Sequence, residues 1–76
     1  MGQAGRENSE RVWRVRKDSA FIDAQLRPGE GMGVEMLYFY DGGRVLSQHW
    51  PTRDQALTDA AIRLRDLQRA GWTTHW

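Results

Sequence analysis

Residues 34–72, VEMLYFYDGGRVLSQHWPTRDQALTDAAIRLRDLQRAGW, decide the fold. Two apolar-rich runs, VEMLYFY and GRVLSQHW, flank Asp41-Gly42. Asp-Gly suits a type I′ hairpin turn, because both central residues of that turn take positive φ. Pro51-Thr52 then opens a helical pattern, with Thr52 as N-cap and Gln55 three residues on to complete a capping box. Asp54 meets the positive end of the helix macrodipole and Arg69 the negative end. Leu57, Ala60, Ala61, Leu64 and Leu67 recur at helical spacing as a buried stripe, with Ala56 at its edge. The alanines let such a helix lie close to a sheet. Gly71 fits the C′ position, where positive φ is required, and Trp72 the C″ position, from which it can pack back onto Leu67.

Upstream lies a second hairpin pattern, RVWRVRK, Asp18-Ser19 and AFIDAQLR. A two-residue turn at Asp18-Ser19 sets Lys17 opposite Ala20, Val15 opposite Ile22, Trp13 opposite Ala24 and Arg11 opposite Leu26. That register gathers Trp13, Val15, Ile22, Ala24 and Leu26 on one face. Val12, Arg14, Arg16, Phe21, Asp23 and Gln25 fall on the other. Residues 28–33, PGEGMG, form a connection, and a strand follows them. A phosphate-binding loop needs a helix at that point, so its glycines read as turn residues.

For the second hairpin, the two-residue turn sets Leu37 opposite Leu46 and Tyr38 opposite Val45. Leu37, Phe39 and Trp50 then face the helix, while Met36, Tyr38, Tyr40 and His49 face away. A three-residue Asp41-Gly42-Gly43 turn shifts this pairing by one; the first register is preferred because it turns Trp50 inward beside the helix start. The expected architecture is α+β: a four-stranded antiparallel sheet of two hairpins, with one C-terminal helix packed on one face. Residues 1–10 read as a disordered leader, 11–72 as a single domain and 73–76 as a C-terminal tail.

Composition narrows the function classes. A chain of 76 residues builds one small core. Cysteine is absent, which removes disulfides and thiolate metal sites and fits a cytoplasmic protein. Two histidines, His49 and His75, offer little for an imidazole site, and no metal or cofactor is expected. Eleven basic against ten acidic residues give a net charge of +1, without the basic excess common in nucleic-acid-binding domains. No run approaches the roughly 20 apolar residues of a membrane span.

With one sheet face covered, the other is the candidate binding face: Arg14, Arg16, Phe21, Arg27, Met36, Tyr38, Tyr40 and His49. Arginines interleaved with aromatic rings are the ingredients of a single-stranded nucleic-acid platform. The same residues also make ordinary cross-strand pairs on an exposed sheet, or a surface for a protein partner or a homodimer. Ser47 and His49 share a strand face, with Asp41 in the turn. A turn aspartate pointing at solvent does not orient a catalytic histidine, so no catalytic set is assigned. Asp59 and Arg63 form an i,i+4 helix pair, and Ile62 points away from the buried stripe. Three of the four tryptophans have packing roles; Trp76 has none assigned.

The segment WPTRDQALTDAAIRLRDLQRAGW, after a strand and tight turn, resembles a group of short uncharacterised bacterial proteins. The shared features are an aromatic-ended strand, a Thr-Arg-acidic helix opening, early alanines and a closing Gly-Trp. The resemblance covers about half of the chain, and these are caps and core positions, so it implies a fold. A fainter likeness is to the WGR domain of nucleic-acid-associated proteins, whose sheet also feeds a helix, although the Trp-Gly-Arg signature is not present. The expected function is a non-catalytic interaction module acting through the open sheet face, with nucleic-acid binding as the alternative.

Overall fold

A computed structural model describes residues 9–75. Strands β1 (Glu10–Lys17), β2 (Ala20–Pro28), β3 (Val34–Tyr40) and β4 (Gly43–Trp50) precede helix α1 (Arg53–Arg69) and a short β5 (Thr73–Thr74). The sheet order is β4-β3-β2-β1-β5, and every neighbouring pair is antiparallel. The fold is therefore the expected α+β sheet and helix, with one strand more. Thr73-Thr74, expected in a tail, pairs with Val15 and Arg16 on the outer side of β1. Glu10, expected in the leader, opens β1, and Ser9 donates from Oγ to Gln25 Oε1 at 2.9 Å. The leader reading for residues 1–8, and Trp76, lie outside the described residues. No described helix is long and apolar enough to cross a membrane.

The turn chemistry follows from the sequence. Asp41 and Gly42 have φ of 50° and 86°, the two positive values a type I′ turn demands, and Asp18 has φ of 55°. The registers begin as expected and then slip. In the first hairpin, Lys17–Ala20 through Trp13–Ala24 pair as expected, but Arg11 faces Gln25 and Glu10 faces Leu26. Val12 is the extra residue of this bulge, and it packs against the helix-side core instead of lying on the opposite face.

The second slip matters more. Tyr40 pairs with Gly43 and Phe39 with Arg44, after which Val45 is bulged out and Tyr38 pairs with Leu46. From there to Val34–Trp50, β4 follows the shifted register although the turn has only two residues. Meanwhile β2 pairs Ala24 with Tyr38 and Leu26 with Met36, which fixes the face of β3. Met36 and Tyr38 thus lie beneath the helix, and Leu37 and Phe39 on the other face. The sequence reading has these four reversed. A bulge changes side-chain parity within a strand, so Trp50 and Met36 share the helix face where an unbulged hairpin would separate them.

The core is Trp13, Val15, Ala24, Leu26, Met36 and Tyr38 from the sheet, closed by Ala56 and Ala60 from α1. Both alanines are fully buried, and their small side chains bring the helix near enough for Trp13 Nε1 to donate to Ala60 O at 2.9 Å. Leu57, Leu64, Leu67 and Trp72 pack around this contact, half-buried. Ala61, expected in the stripe, is exposed; the helix rolls toward Ala56 and Ala60, which share a face four residues apart.

Thr52 caps α1 by accepting from Gln55 N–H at 3.2 Å. Its hydroxyl also donates to Gln55 Oε1. At the other end, Gly71 N–H bonds to Gln68 O and Trp72 N–H to Leu67 O, the paired bonds of a Schellman stop, with Gly71 at φ 101°. Lys17 Nζ donates to Ala70 O at 2.8 Å, and Arg53 clasps Glu10 with two bonds, so both helix ends are tied to β1.

The connection from β2 to β3 is fastened to the end of β4. His49 Nε2 bonds to Met32 O at 3.0 Å, and Gly33 has φ of 94°. A Cβ on Gly33 would lie 2.5 Å from Trp50 O, a backbone atom that cannot move aside alone. Gly33→Ala is accordingly expected to destabilise the domain by about 2–4 kcal/mol in urea unfolding, through strained φ and this clash together. Gly31→Ala, also at positive φ but with open space around its Cβ position, serves as the milder comparison.

Candidate functional site

The face opposite the helix has two halves of different character. Toward the hairpin turns, Arg14 lies directly across from Asp23, and Arg16 from Phe21. The Arg14 guanidinium sits 4.3 Å over the Phe21 ring and that of Arg16 5.9 Å from it. His75, continuing from β5, donates its backbone N–H to Arg14 O and places its ring 5.4 Å from Phe21. Asp41 fixes this corner by accepting from Phe21 N–H at 2.9 Å. Arg14, Phe21, Asp23 and Asp41 border a concavity of about 520 Å³, whose walls also include Arg11, Gln25 and Phe39. Arg16 and His75 lie against Phe21 outside it.

Charge in the concavity is mixed and largely positioned. The Asp23 carboxylate is buried, accepts from Gln25 Nε2 at 2.9 Å, and has Arg11 Nε at 3.9 Å. Arg14 Nε is buried without a hydrogen-bond partner among the described residues. An unpaired buried donor costs about 1–3 kcal/mol, which a shift of the side chain toward an incoming acceptor would recover.

Toward the other end, the polar groups are already paired within the chain. Arg27 donates from Nε and Nη2 to Glu35 Oε1 at 3.0 and 2.9 Å. His49 holds the Met32 carbonyl. Leu37, on this face, is only 4% exposed, so the open side of the sheet carries a small apolar floor of its own.

Of the candidate residues, Arg14, Arg16 and Phe21 are brought into direct contact. Arg27 and His49 share their face but are engaged elsewhere. Met36, Tyr38 and Tyr40 are on the helix side: Met36 and Tyr38 are buried, and Tyr40 packs its ring edge toward Trp72 at 6.4 Å. Phe39, Arg11, Asp23, Gln25 and His75 enter in their place. The alternation Arg14-Arg16 already marked the first hairpin's outer face, and Asp23 and Gln25 lie on it. Nothing local in VEMLYFY distinguishes Phe39 from Tyr38, since both sides of that strand are apolar. Ser47 and His49 do lie on one face, while Asp41 is at the far end of the hairpin, bound to Phe21. Among the described residues, no group of three or more His, Asp or Glu side chains is placed to hold a metal ion.

Tyr38 is occupied in a polar latch between sheet and helix. Its hydroxyl donates to Asp59 Oδ2 at 3.0 Å, Arg63 Nε donates to the same oxygen at 2.8 Å, and Arg63 Nη2 reaches Gln48 Oε1 at 3.1 Å. The Arg63 guanidinium also covers the Tyr38 ring at 5.0 Å. The expected Asp59–Arg63 pair therefore exists, but it faces the sheet edge instead of open solvent.

The domain that these elements define is a small antiparallel sheet with one crossing helix and a mixed arginine–phenylalanine face. Comparison with protein-family models, curated proteins and solved structures finds no significant match to the chain.

Burial first, and the Asp59 carboxylate second, hold the Tyr38 phenol protonated above the ordinary tyrosine range. The folded state thus keeps this proton more tightly than the unfolded chain. Its contribution is complete below about pH 10 and declines as pH rises through the folded value. Tyr38→Phe is expected to lose about 1 kcal/mol at neutral pH and to show a shallower loss of stability above pH ~10 in denaturant titrations.

Proposed function

We propose that this domain is a non-catalytic interaction module that binds a protein partner through the sheet face opposite the helix. The observation that carries this reading is the concavity between Phe21 and Phe39, with the buried, unpartnered Arg14 Nε beside it. A shift of the Arg14 side chain off Phe21 would bring that donor to a partner carbonyl or carboxylate, and a partner apolar side chain would complete the contact with Phe39.

The charge pattern separates this from the nucleic-acid alternative. The concavity sets Arg11 and Arg14 against Asp23 and Asp41. A polyanion gains from the guanidiniums and is repelled by the carboxylates, whereas a protein surface can offer both signs. Phe21, the ring best placed to stack a base, already carries Arg14 on its face and His75 beside it.

Selection of displayed random peptides on the immobilised domain tests the reading. Enriched peptides are expected to bind at least roughly tenfold more weakly to Arg14→Ala and Phe39→Ala variants that remain folded by circular dichroism. Failure to enrich, or binding indifferent to both changes, would sink the proposal. A titration with single-stranded oligothymidylate runs in parallel: steeply salt-dependent binding that Arg14→Ala abolishes would replace it with the nucleic-acid reading.

A further inference from the structure

The two edges of the sheet are protected differently. On one side, β5 is two residues long, a short edge of the kind that resists further pairing. On the other, β4 runs eight residues with no described element on its outer side. It carries no lysine or internal proline, and its single charged residue, Arg44, lies at its start. The Val45 bulge blunts only the turn end, leaving Leu46–Trp50 in regular register.

The exposed apolar residues gather at the same edge. Val45, Leu46 and Ile62 are 65%, 36% and 51% exposed, against only Met32 and Tyr40 among large apolar residues elsewhere in the described chain. Ile62 lines a groove of about 310 Å³ between α1 and the end of β4, together with Trp50, Thr58 and Asp54. Trp50 Nε1 is buried there without a hydrogen-bond partner among the described residues.

We propose that this edge pairs with β4 of a second copy of the chain, joining two sheets antiparallel across a two-fold axis. An axis at Gln48 sets Leu46 opposite Trp50 of the partner subunit, on the helix side of both sheets. Two Ile62 side chains then flank the seam. Charge is complementary at each end: Arg44 starts the strand, and Asp54, in the first helical turn after it, has no ion pair among the described residues. Arg44 pairs with Phe39 and so starts on the open face, whereas Asp54 sits on the helix side. The antiparallel arrangement brings the two ends together twice, with each Arg44 side chain reaching past the strand edge toward Asp54 of the partner subunit. No acidic residue lies on β4 to oppose the pairing. Arg44 neighbours Phe39 of the concavity proposed for a partner, but Leu46, Trp50 and Ile62 lie apart from it on the helix side, so either surface can fail without the other.

Sedimentation equilibrium of the full chain tests it. A reversible dimer is expected, with Leu46→Lys and Ile62→Glu monomeric yet folded by circular dichroism. Arg44→Asp should weaken the dimer roughly tenfold, and adding Asp54→Arg to it should restore most of that loss. The restoration separates a charge contact across the seam from damage to the fold. A strictly monomeric chain up to roughly 1 mM overturns the proposal. So does a dimer that survives Leu46→Lys but is broken by Phe39→Asp on the open face, or a charge exchange without restoration.

Discussion

Each side chain on β3 takes its face from its pairing with β2, and the Val45 bulge is what allows β4 to agree with that choice. Ala24 opposite Tyr38 and Leu26 opposite Met36 commit the strand. Without an extra residue in β4, the Asp41-Gly42 turn would then send Trp50 to the open face and His49 under the helix. The bulge reverses this and gives three results together. Trp50 walls the groove beside α1, His49 reaches the β2–β3 connection, and Gln48 meets Arg63. Helix, loop and strand are therefore held by one inserted residue near the turn.

The helix is packed by contact of small groups more than by a broad greasy stripe. Ala56 and Ala60 are its only fully buried residues, and the leucines around them are half-covered. Close approach makes the Trp13–Ala60 bond possible and puts Asp59 within reach of Tyr38. In so small a core, such polar ties contribute specificity that apolar area alone supplies weakly, because each fixes a position along the helix as well as a distance from the sheet.

What the sequence revealed follows from the range of each signal. The caps at Thr52 and Gly71-Trp72 and the turn at Asp41-Gly42 depend on a few adjacent residues, and all three could be read directly. Face assignment depends on parity, which a single bulge inverts. Strand β1 alternates, with Trp13 and Val15 inward and Arg14 and Arg16 outward, so its half of the candidate face was legible. Strand β3 reads Met-Leu-Tyr-Phe-Tyr, apolar on both sides, and gave no alternation with which to detect the slip. Its outward Leu37 and Phe39 could be recognised only once β2 was known to lie beside it.

The same geometry explains why the two proposed surfaces differ in charge. Around Phe21, the strands bring arginines from β1 against aspartates from β2 and the β3–β4 turn, so the concavity is balanced before any partner arrives. At the β4 edge, Arg63 already pairs with Asp59, and Arg27 with Glu35 lies on the far side of the sheet. That leaves Asp54 at one end of the groove and Arg44 at the opposite end of the strand. An arrangement with opposite charges at the ends and apolar residues between is matched by its own antiparallel image, since rotation about a two-fold exchanges the ends. A parallel copy would set Arg44 beside Arg44 and Asp54 beside Asp54. Electrostatics therefore selects the antiparallel orientation, and the apolar strip along Leu46, Trp50 and Ile62 supplies the attraction that orientation alone does not.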